Sequence, residues 1–462
     1  MLHKAALALC VVLLSACSLA PKYERPFMPM LSEYHRGAGL FGEADQEIGW
    51  REFFRDPGMQ MLIETALENN RDLRLALLNI ERVRARYRIQ RADQLPTIGA
   101  SGQYSVIDTP AEFTFTQRRT ITRQYTATLG FSAFELDLFG RVRSLADQAL
   151  ETFYSVENDA KTAQISLVAE VAAVYLQLVS NRELLDITRA TYNNRKGQYG
   201  LVRNKFNSGV ASQLEVSQAQ GIMEEARSNV ARYETLVGQA ENLLSLLLGA
   251  PLPENMPEVR MLNDLEMLAD IPEGLPSSLL ERRPDIQAAE HRLKAANANI
   301  GAARANFFPT IALTGAYGTM SSEYSNLFTG ASAFWQFLPQ VYLPIFDTGR
   351  NIARLDAAEA ERQMAVATYE RTIQIAFREV MDSLVQRANI GEQMSAERAL
   401  LRATSTAFEL ASARYDFGVD SYLNVLDAQR SLYSAQQSYI STKLLRETNA
   451  IQLYKALGGG WN

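Results

Sequence analysis

Cysteine is almost absent from this chain. Of 462 residues only Cys10 and Cys17 are cysteines, both near the amino terminus, which is too few for a disulfide framework or a thiolate metal site. Histidine is nearly as scarce. His35 and His291 lie in different segments, and no nucleophile elbow, phosphate loop or metal-ligand spacing accompanies them. The paired carboxylates sit on heptad helices, as solvated faces do, so no catalytic residue and no metal site is expected. Basic runs are also missing, and 46 Lys and Arg stand against 52 Asp and Glu. This mild acidity speaks against a nucleic-acid partner. Past the first 17 residues no stretch reaches the ~18 consecutive apolar residues that a transmembrane helix needs. What remains is a globular composition, 47% hydrophobic and 21% charged.

The amino terminus reads as an export signal. Lys4 supplies the positive start, Ala5 to Leu14 is an apolar run, and Leu14-Ser15-Ala16-Cys17 follows. That ending resembles the lipobox of bacterial lipoproteins. The resemblance implies that residues 1–16 are removed and that Cys17 carries a covalent lipid, with no other cofactor expected. Ser18, where an Asp would favour inner-membrane retention, implies the outer membrane. Both cysteines are then accounted for. An outer-membrane protein without a spanning helix must hang from its lipid or form a barrel.

The rest of the chain is duplicated. Asn204-Lys205-Phe206-Asn207-Ser208-Gly209-Val210-Ala211-Ser212 returns 209 residues later as Ala413-Arg414-Tyr415-Asp416-Phe417-Gly418-Val419-Asp420-Ser421. Both copies read as turns between helices, with Gly209 and Gly418 as left-handed caps and Ser212 and Ser421 at N-cap positions. Ser212-x-x-Glu215 is a capping-box pattern. Phe139-Gly140-Arg141 and Leu248-Gly249 recur at the same offset as Thr348-Gly349-Arg350 and Leu457-Gly458. The expected segments are an irregular arm 17–57, a helix 58–94, a strand hairpin 95–139 and a helical hairpin 140–249. An acidic, Pro-rich connector 250–275 separates these from the second copy: helix 276–307, strand hairpin 308–348, helical hairpin 349–458 and a tail 459–462.

Apolar heptads, Leu150 to Phe206 and Ile352 to Tyr415, predict long helices coiled against neighbours. Arg350 to Arg414 alone would span ~98 Å. The four strand candidates, Thr97–Ile107, Tyr125–Ala133, Thr310–Gly318 and Phe334–Phe346, are about the length of membrane strands. Four strands cannot close a membrane barrel, because even small ones use eight. Open edges in lipid leave unpaired backbone groups, so if these strands enter a membrane rather than forming an ordinary soluble hairpin, several copies must pool them.

The lipobox, Leu-Leu-Glu-Arg-Arg-Pro-Asp-Ile (279–286), Phe-Phe-Pro-Thr (307–310), the duplicated Gly-Val hairpins and the ending Leu-Tyr-Lys-Ala-Leu-Gly-Gly-Gly-Trp (453–461) together resemble the TolC family of outer-membrane efflux proteins, in its lipidated OprM-like branch. The resemblance implies a mainly α fold with a membrane portion: a homotrimer sharing a twelve-stranded β-barrel, continuous with an α-helical barrel and a mixed α/β equatorial domain. It implies a periplasmic adaptor, an inner-membrane pump of the resistance-nodulation-division type, and outer-membrane lipid as partners. The hairpins then lie at a tapered periplasmic aperture, where Gly209, Val210, Ser212, Gly418, Val419 and Ser421 would meet the adaptor. Asp420, Asn424, Asp427, Ser431 and Ser434 share one helix face, and three copies of Asp427 would form a carboxylate ring. Leu423 matches a constricting leucine of OprM-like channels. The basic lock of TolC aligns with Asp420, which leaves Arg414 and Tyr415 as replacements, pairing with Glu215 of the other hairpin.

The expected function is a passive exit duct for drugs or other small molecules. Heavy-metal cation efflux and type I protein secretion are the alternatives within the channel class, and a non-conducting lipid-tethered periplasmic scaffold is the alternative outside it. Met28, Met30, Met256, Met261 and Met267 hint at soft metals but lack paired spacing.

Overall fold

The computed structural model describes residues 18–26, 49–253, 257, 261–265 and 282–459. The signal segment 1–16, Cys17, His35, Met28, Met30, Met256 and Met267 lie outside the described residues. So do most of the arm and connector, the expected helix start at 276–281, and the tail after Gly459. Chain contacts divide the protein into two compact units. The first is 1–27, 79–157 and 288–370; the second is 28–78, 158–287 and 371–462.

The first unit is built on one antiparallel sheet in the order β1-β2-β3-β4. Its strands are β1 Gly99–Thr109, β2 Thr120–Glu135, β3 Thr310–Ser321 and β4 Ala333–Tyr342. The β2–β3 ladder joins the hairpin of the first repeat to that of the second, with Thr128 opposite Gly318 and Leu129 opposite Tyr317. The registers sort the side chains. Tyr104, Val106, Tyr125, Leu129, Tyr317, Trp335, Phe337 and Val341 share one face. Ser101, Gln103, Gln124, Thr126, Thr128, Thr314, Gln336 and Gln340 share the other, which is mainly polar and where Ser101 and Thr128 join hydroxyls at 2.7 Å. β1 and β4 are unpaired edges, and Trp335 is 75% exposed. A bulge between Phe131 and Phe134 turns β2 at its end, with Ala133 at φ 51°. The fourth strand stops at Tyr342 rather than continuing to Phe346.

Helices flank each strand hairpin. In chain order they are α1 Trp50–Phe53, α2 Pro57–Asn69, α3 Arg71–Ala92, α4 Arg141–Asn207, α5 Gln213–Leu248, α6 Pro284–Ala305, α7 Arg350–Asp416 and α8 Tyr422–Ala456. The 67 residues of α4 and of α7 each correspond to ~100 Å of helix. Two expectations change here. The arm is not irregular up to Pro57, since Trp50, Phe53 and Phe54 are buried around α1, and Phe53 stacks on Tyr454 at 4.2 Å. The expected helix 58–94 is broken at Asn70, whose backbone is extended (φ −60°, ψ 130°). Its Oδ1 accepts the Leu73 N–H and its Nδ2 donates to the Leu247 carbonyl, both at 2.8 Å. One asparagine therefore caps α3 and ties it to the end of α5.

The core of the second unit gathers α1, α2, the middle of α4, and parts of α5 and α8. Val171, Leu176, Leu178 and Leu244 are fully buried there. The most apolar part of α4 is thus a core helix, packed inside this unit.

Candidate functional site

The two helical hairpins carry the strongest motif in the sequence, and each ends its long helix in the same way. At the end of α4, Val210 N–H donates to the Lys205 carbonyl and Gly209 N–H to the Phe206 carbonyl, both at 2.9 Å. At the end of α7, Val419 donates to Arg414 and Gly418 to Tyr415, again at 2.9 Å. Both are Schellman motifs, and Gly209 (φ 75°) and Gly418 (φ 72°) supply the left-handed residue they need.

The entries to the following helices differ. Ser212 completes a capping box: its Oγ accepts the Glu215 N–H at 3.3 Å, and the Glu215 carboxylate accepts the Ser212 N–H at 2.6 Å. Ser421 occupies the equivalent position, but its hydroxyl makes no cap bond. Asp420, the residue before it, accepts from Ser421 N–H at 2.9 Å, Arg414 Nε at 3.1 Å and Asn424 Nδ2 at 2.5 Å. These donors, the backbone N–H first, hold the Asp420 carboxyl below its usual range. Replacing Ser212 with alanine is expected to cost α5 about 1 kcal/mol of local stability, seen as faster amide exchange in its first turn. Ser421→Ala should leave the first turn of α8 unchanged.

The expected pairing of Arg414 and Tyr415 with Glu215 does not form within the chain. Arg414 is taken by Asp420 across its own turn, and Glu215 by Ser212. The link between hairpins runs instead through Lys205, which the sequence reading passed over. Lys205 Nζ lies 3.4 Å from the Tyr415 hydroxyl and 4.4 Å from the centre of its ring. Its signal was present: a basic residue precedes an aromatic in both copies, Lys205-Phe206 and Arg414-Tyr415.

Beneath the turns, Val202, Val216, Ala219, Tyr422, Val425 and Leu426 form a small apolar cluster drawn from α4, α5 and α8. Tyr415 packs on Tyr422 at 5.2 Å, and burial pushes the Tyr422 phenol up to about 12. This cluster orients α8. With Tyr422, Val425 and Leu426 turned inward, Leu423, Asn424, Asp427, Ser431 and Ser434 are exposed together. Asp427 is 64% exposed, with Arg430 Nη1 at 3.7 Å one turn on, a solvated pair of small energetic weight. Among the described residues no group of three His, Cys, Asp or Glu is arranged to hold a metal ion.

Four antiparallel strands with one apolar face, one mainly polar face and two open edges, in a duplicated chain of paired helical hairpins, define an outer-membrane channel whose barrel is completed by association of copies. The chain belongs to the outer membrane efflux protein family, the TolC family, whose sequence profile matches residues 62–250 and 275–459. It is 47% identical over 460 residues to the antibiotic efflux pump outer membrane protein ArpC of Pseudomonas putida, covering 98% of this chain and 95% of that protein. Identity and coverage are the same for the toluene efflux pump outer membrane protein TtgC of the same species. The fold is similar to the open-state MtrE outer membrane channel of Neisseria gonorrhoeae, with TM-score 0.87 and 36% identity over 96% of this chain and 99% of that one. The chain is therefore the outer-membrane exit duct of a tripartite efflux pump. It is a channel and no enzyme, and it works as a trimer with an adaptor protein and an inner-membrane pump.

Proposed function

We propose that this duct passes apolar drugs and solvents, and that its periplasmic aperture is formed by the exposed face of α8. Cargo of this kind is favoured by the relatives named for antibiotic and toluene efflux. The aperture reading rests on one observation: with the apolar cluster under the hairpins taking Tyr422, Val425 and Leu426, the residues Leu423, Asn424 and Asp427 are left exposed on the opposite face of α8. In a trimer, three copies of Asp427 make a carboxylate ring and three of Leu423 a constriction. Asp420 and Arg414 brace the turn behind them, Tyr415 and Lys205 couple it to the first hairpin, and Glu215 fixes the start of α5. The turn residues Gly209, Val210, Ser212, Gly418, Val419 and Ser421 present the adaptor surface. An adaptor that binds the open form more tightly supplies the free energy of opening, and transport through the duct is passive. The inner-membrane partner in this reading is a pump of the resistance-nodulation-division type.

Lipid on Cys17 belongs to the same proposal and has support in the residues that follow. Residues 18–26 run antiparallel to α6. The Leu19 carbonyl accepts from Arg304 at 3.4 Å and the Pro21 carbonyl from Asn297 at 2.7 Å, while Tyr23 and Arg25 donate to Glu290 at 3.2 and 2.6 Å. Leu19 thus lies beside the end of α6 that leads into β3, on the membrane side of the first unit.

Planar-bilayer recording tests the aperture. Asp427→Ala trimers are expected to conduct with reduced cation preference and altered step size. Unchanged selectivity would remove Asp427 from the aperture. An absence of steps from the wild-type protein would favour the scaffold reading.

A further inference from the structure

One charge stands on the apolar face of the sheet, the face a membrane barrel turns to lipid. The strand registers place it there. Along β2, Leu129 is opposite Tyr317, Tyr125 opposite Tyr104 and Arg123 opposite Val106, so Arg123 belongs to the same row as Tyr125 and Leu129. The intervening positions, Thr122, Gln124, Thr126 and Thr128, belong to the polar face.

Depth along the face follows by counting. Ile311, opposite Val341, lies at the end near the helices, and Ser321, opposite Tyr125, lies ten residues further along β3. That is ~33 Å of strand, or ~25 Å of height at the usual tilt, which is the height of a membrane barrel's apolar band. Tyr104 and Tyr125 stack at 4.5 Å at this level, and Tyr324 meets Tyr125 edge-on at 5.9 Å. Such a ring cluster marks a membrane–water interface. Arg123 is one pair further out, ~7 Å along the strand, where a charge on the lipid face costs little. The helices adjoin the opposite ends of the strands, so this interface is the outer one.

Arg123 is exposed and has no ion-pair partner among the described residues. The carboxylates at this end leave it free. Asp108, on the same face opposite Ile121, accepts from Arg119 Nε at 2.9 Å and also from its Nη2. Glu323 accepts from Asn326 Nδ2 at 3.3 Å, and Glu112 lies on the tip between β1 and β2. We infer that Arg123, with Arg119 held at the next pair outward by Asp108, binds a phosphate of the phosphorylated glycolipid of the outer leaflet. A guanidinium presents paired donors that match phosphate oxygens, and basic groups at a membrane surface attract anionic lipid. The protein repeats the lipid's own order: an apolar band for the acyl chains, rings at the boundary, then cations for the phosphate. The site rests on the sheet being the membrane portion of the duct.

Full-length trimer in nanodiscs of phosphatidylcholine with a minority of bisphosphorylated lipid A, followed by native mass spectrometry, tests the site. The wild type is expected to retain lipid A above its share of the bilayer, and less so at high salt. R123Q should weaken that retention about fivefold, and R119Q/R123Q should bring it to the bilayer ratio. R123K, which keeps the charge and loses the fork, should fall between wild type and R123Q. Trimer formation and conductance should be unchanged in all three, which separates failure of this site from failure of the duct. Equal retention by wild type and R119Q/R123Q would overturn the inference. So would a shift in ion selectivity in R123Q, which would place the arginine in the lumen. Equal enrichment of lipid A stripped of its phosphates, or of phosphatidylglycerol in the same discs, would overturn it too, because the phosphorylated headgroup would then not be what is recognised.

Discussion

A chain carrying Gly318→Val is expected to yield no trimer. Gly318 lies on β3 opposite Thr128 of β2, and a Cβ there would stand 2.1 Å from the Ala127 carbonyl oxygen and 2.8 Å from the Thr128 Cα. Neither neighbour is a flexible side chain that could move aside. The same holds in reverse for Gly130 on β2, whose Cβ position is 2.1 Å from the Gly315 carbonyl oxygen. Each strand thus provides a glycine where the other's backbone approaches, in the ladder that joins the two repeats. Forcing that ladder apart leaves backbone groups unpaired in lipid, each costing several kcal/mol. The readout is the trimer band on semi-native electrophoresis together with drug susceptibility, which should equal that of a deletion strain. Gly99→Val is the control, because nothing lies within 4 Å of its Cβ position. Normal assembly of the Gly318 variant would show that the strands can separate enough to admit a side chain.

The helical part of this protein was legible because its signals are long and repeated. Heptads over 60 residues and glycine landmarks at a single offset survive local ambiguity, and the end of α4 and of α7 fell within two residues of the Gly-Val turns. The places where reading failed share a physical cause: one polar side chain overrode a periodic pattern. Asn70 interrupts an apolar period that runs on both sides of it, because its amide closes a cap and reaches Leu247, a partner 177 residues away and invisible locally. At the site, Ser421 holds the cap position of its repeat partner Ser212, yet its hydroxyl makes no cap bond. Duplication preserved the turn while the two capping schemes diverged. The link between hairpins was missed because Lys205 and Tyr415 are ordinary heptad-helix residues until the fold brings them together.

Breaking one buried ion pair should have the largest effect on the second unit. Lys443 of α8 and Glu183 of α4 are 5% and 9% exposed and meet at 3.4 Å. The other oxygen of Glu183 accepts the Leu262 N–H at 3.1 Å, which holds the short connector turn Leu262–Asp264 against α4. A single carboxylate therefore fastens two distant segments, and Leu262 itself is buried in the same core. Lys443→Met leaves that carboxylate buried without its cation, a change that costs about 3–5 kcal/mol in comparable cases. The thermal unfolding midpoint should fall markedly, and proteolysis between residues 250 and 275 should accelerate. Adding Glu183→Gln to the lysine variant removes the stranded charge while its amide oxygen still accepts from Leu262, so the double variant should recover much of the loss. Recovery is the informative outcome. If the double variant is as unstable as the single one, the damage comes from lost packing of the Lys443 stem against Tyr439, whose ring lies 4.9 Å from Nζ, and not from the unpaired charge. If the single variant is already as stable as wild type, the pair contributes little, and Leu262 is held by its apolar neighbours rather than by Glu183.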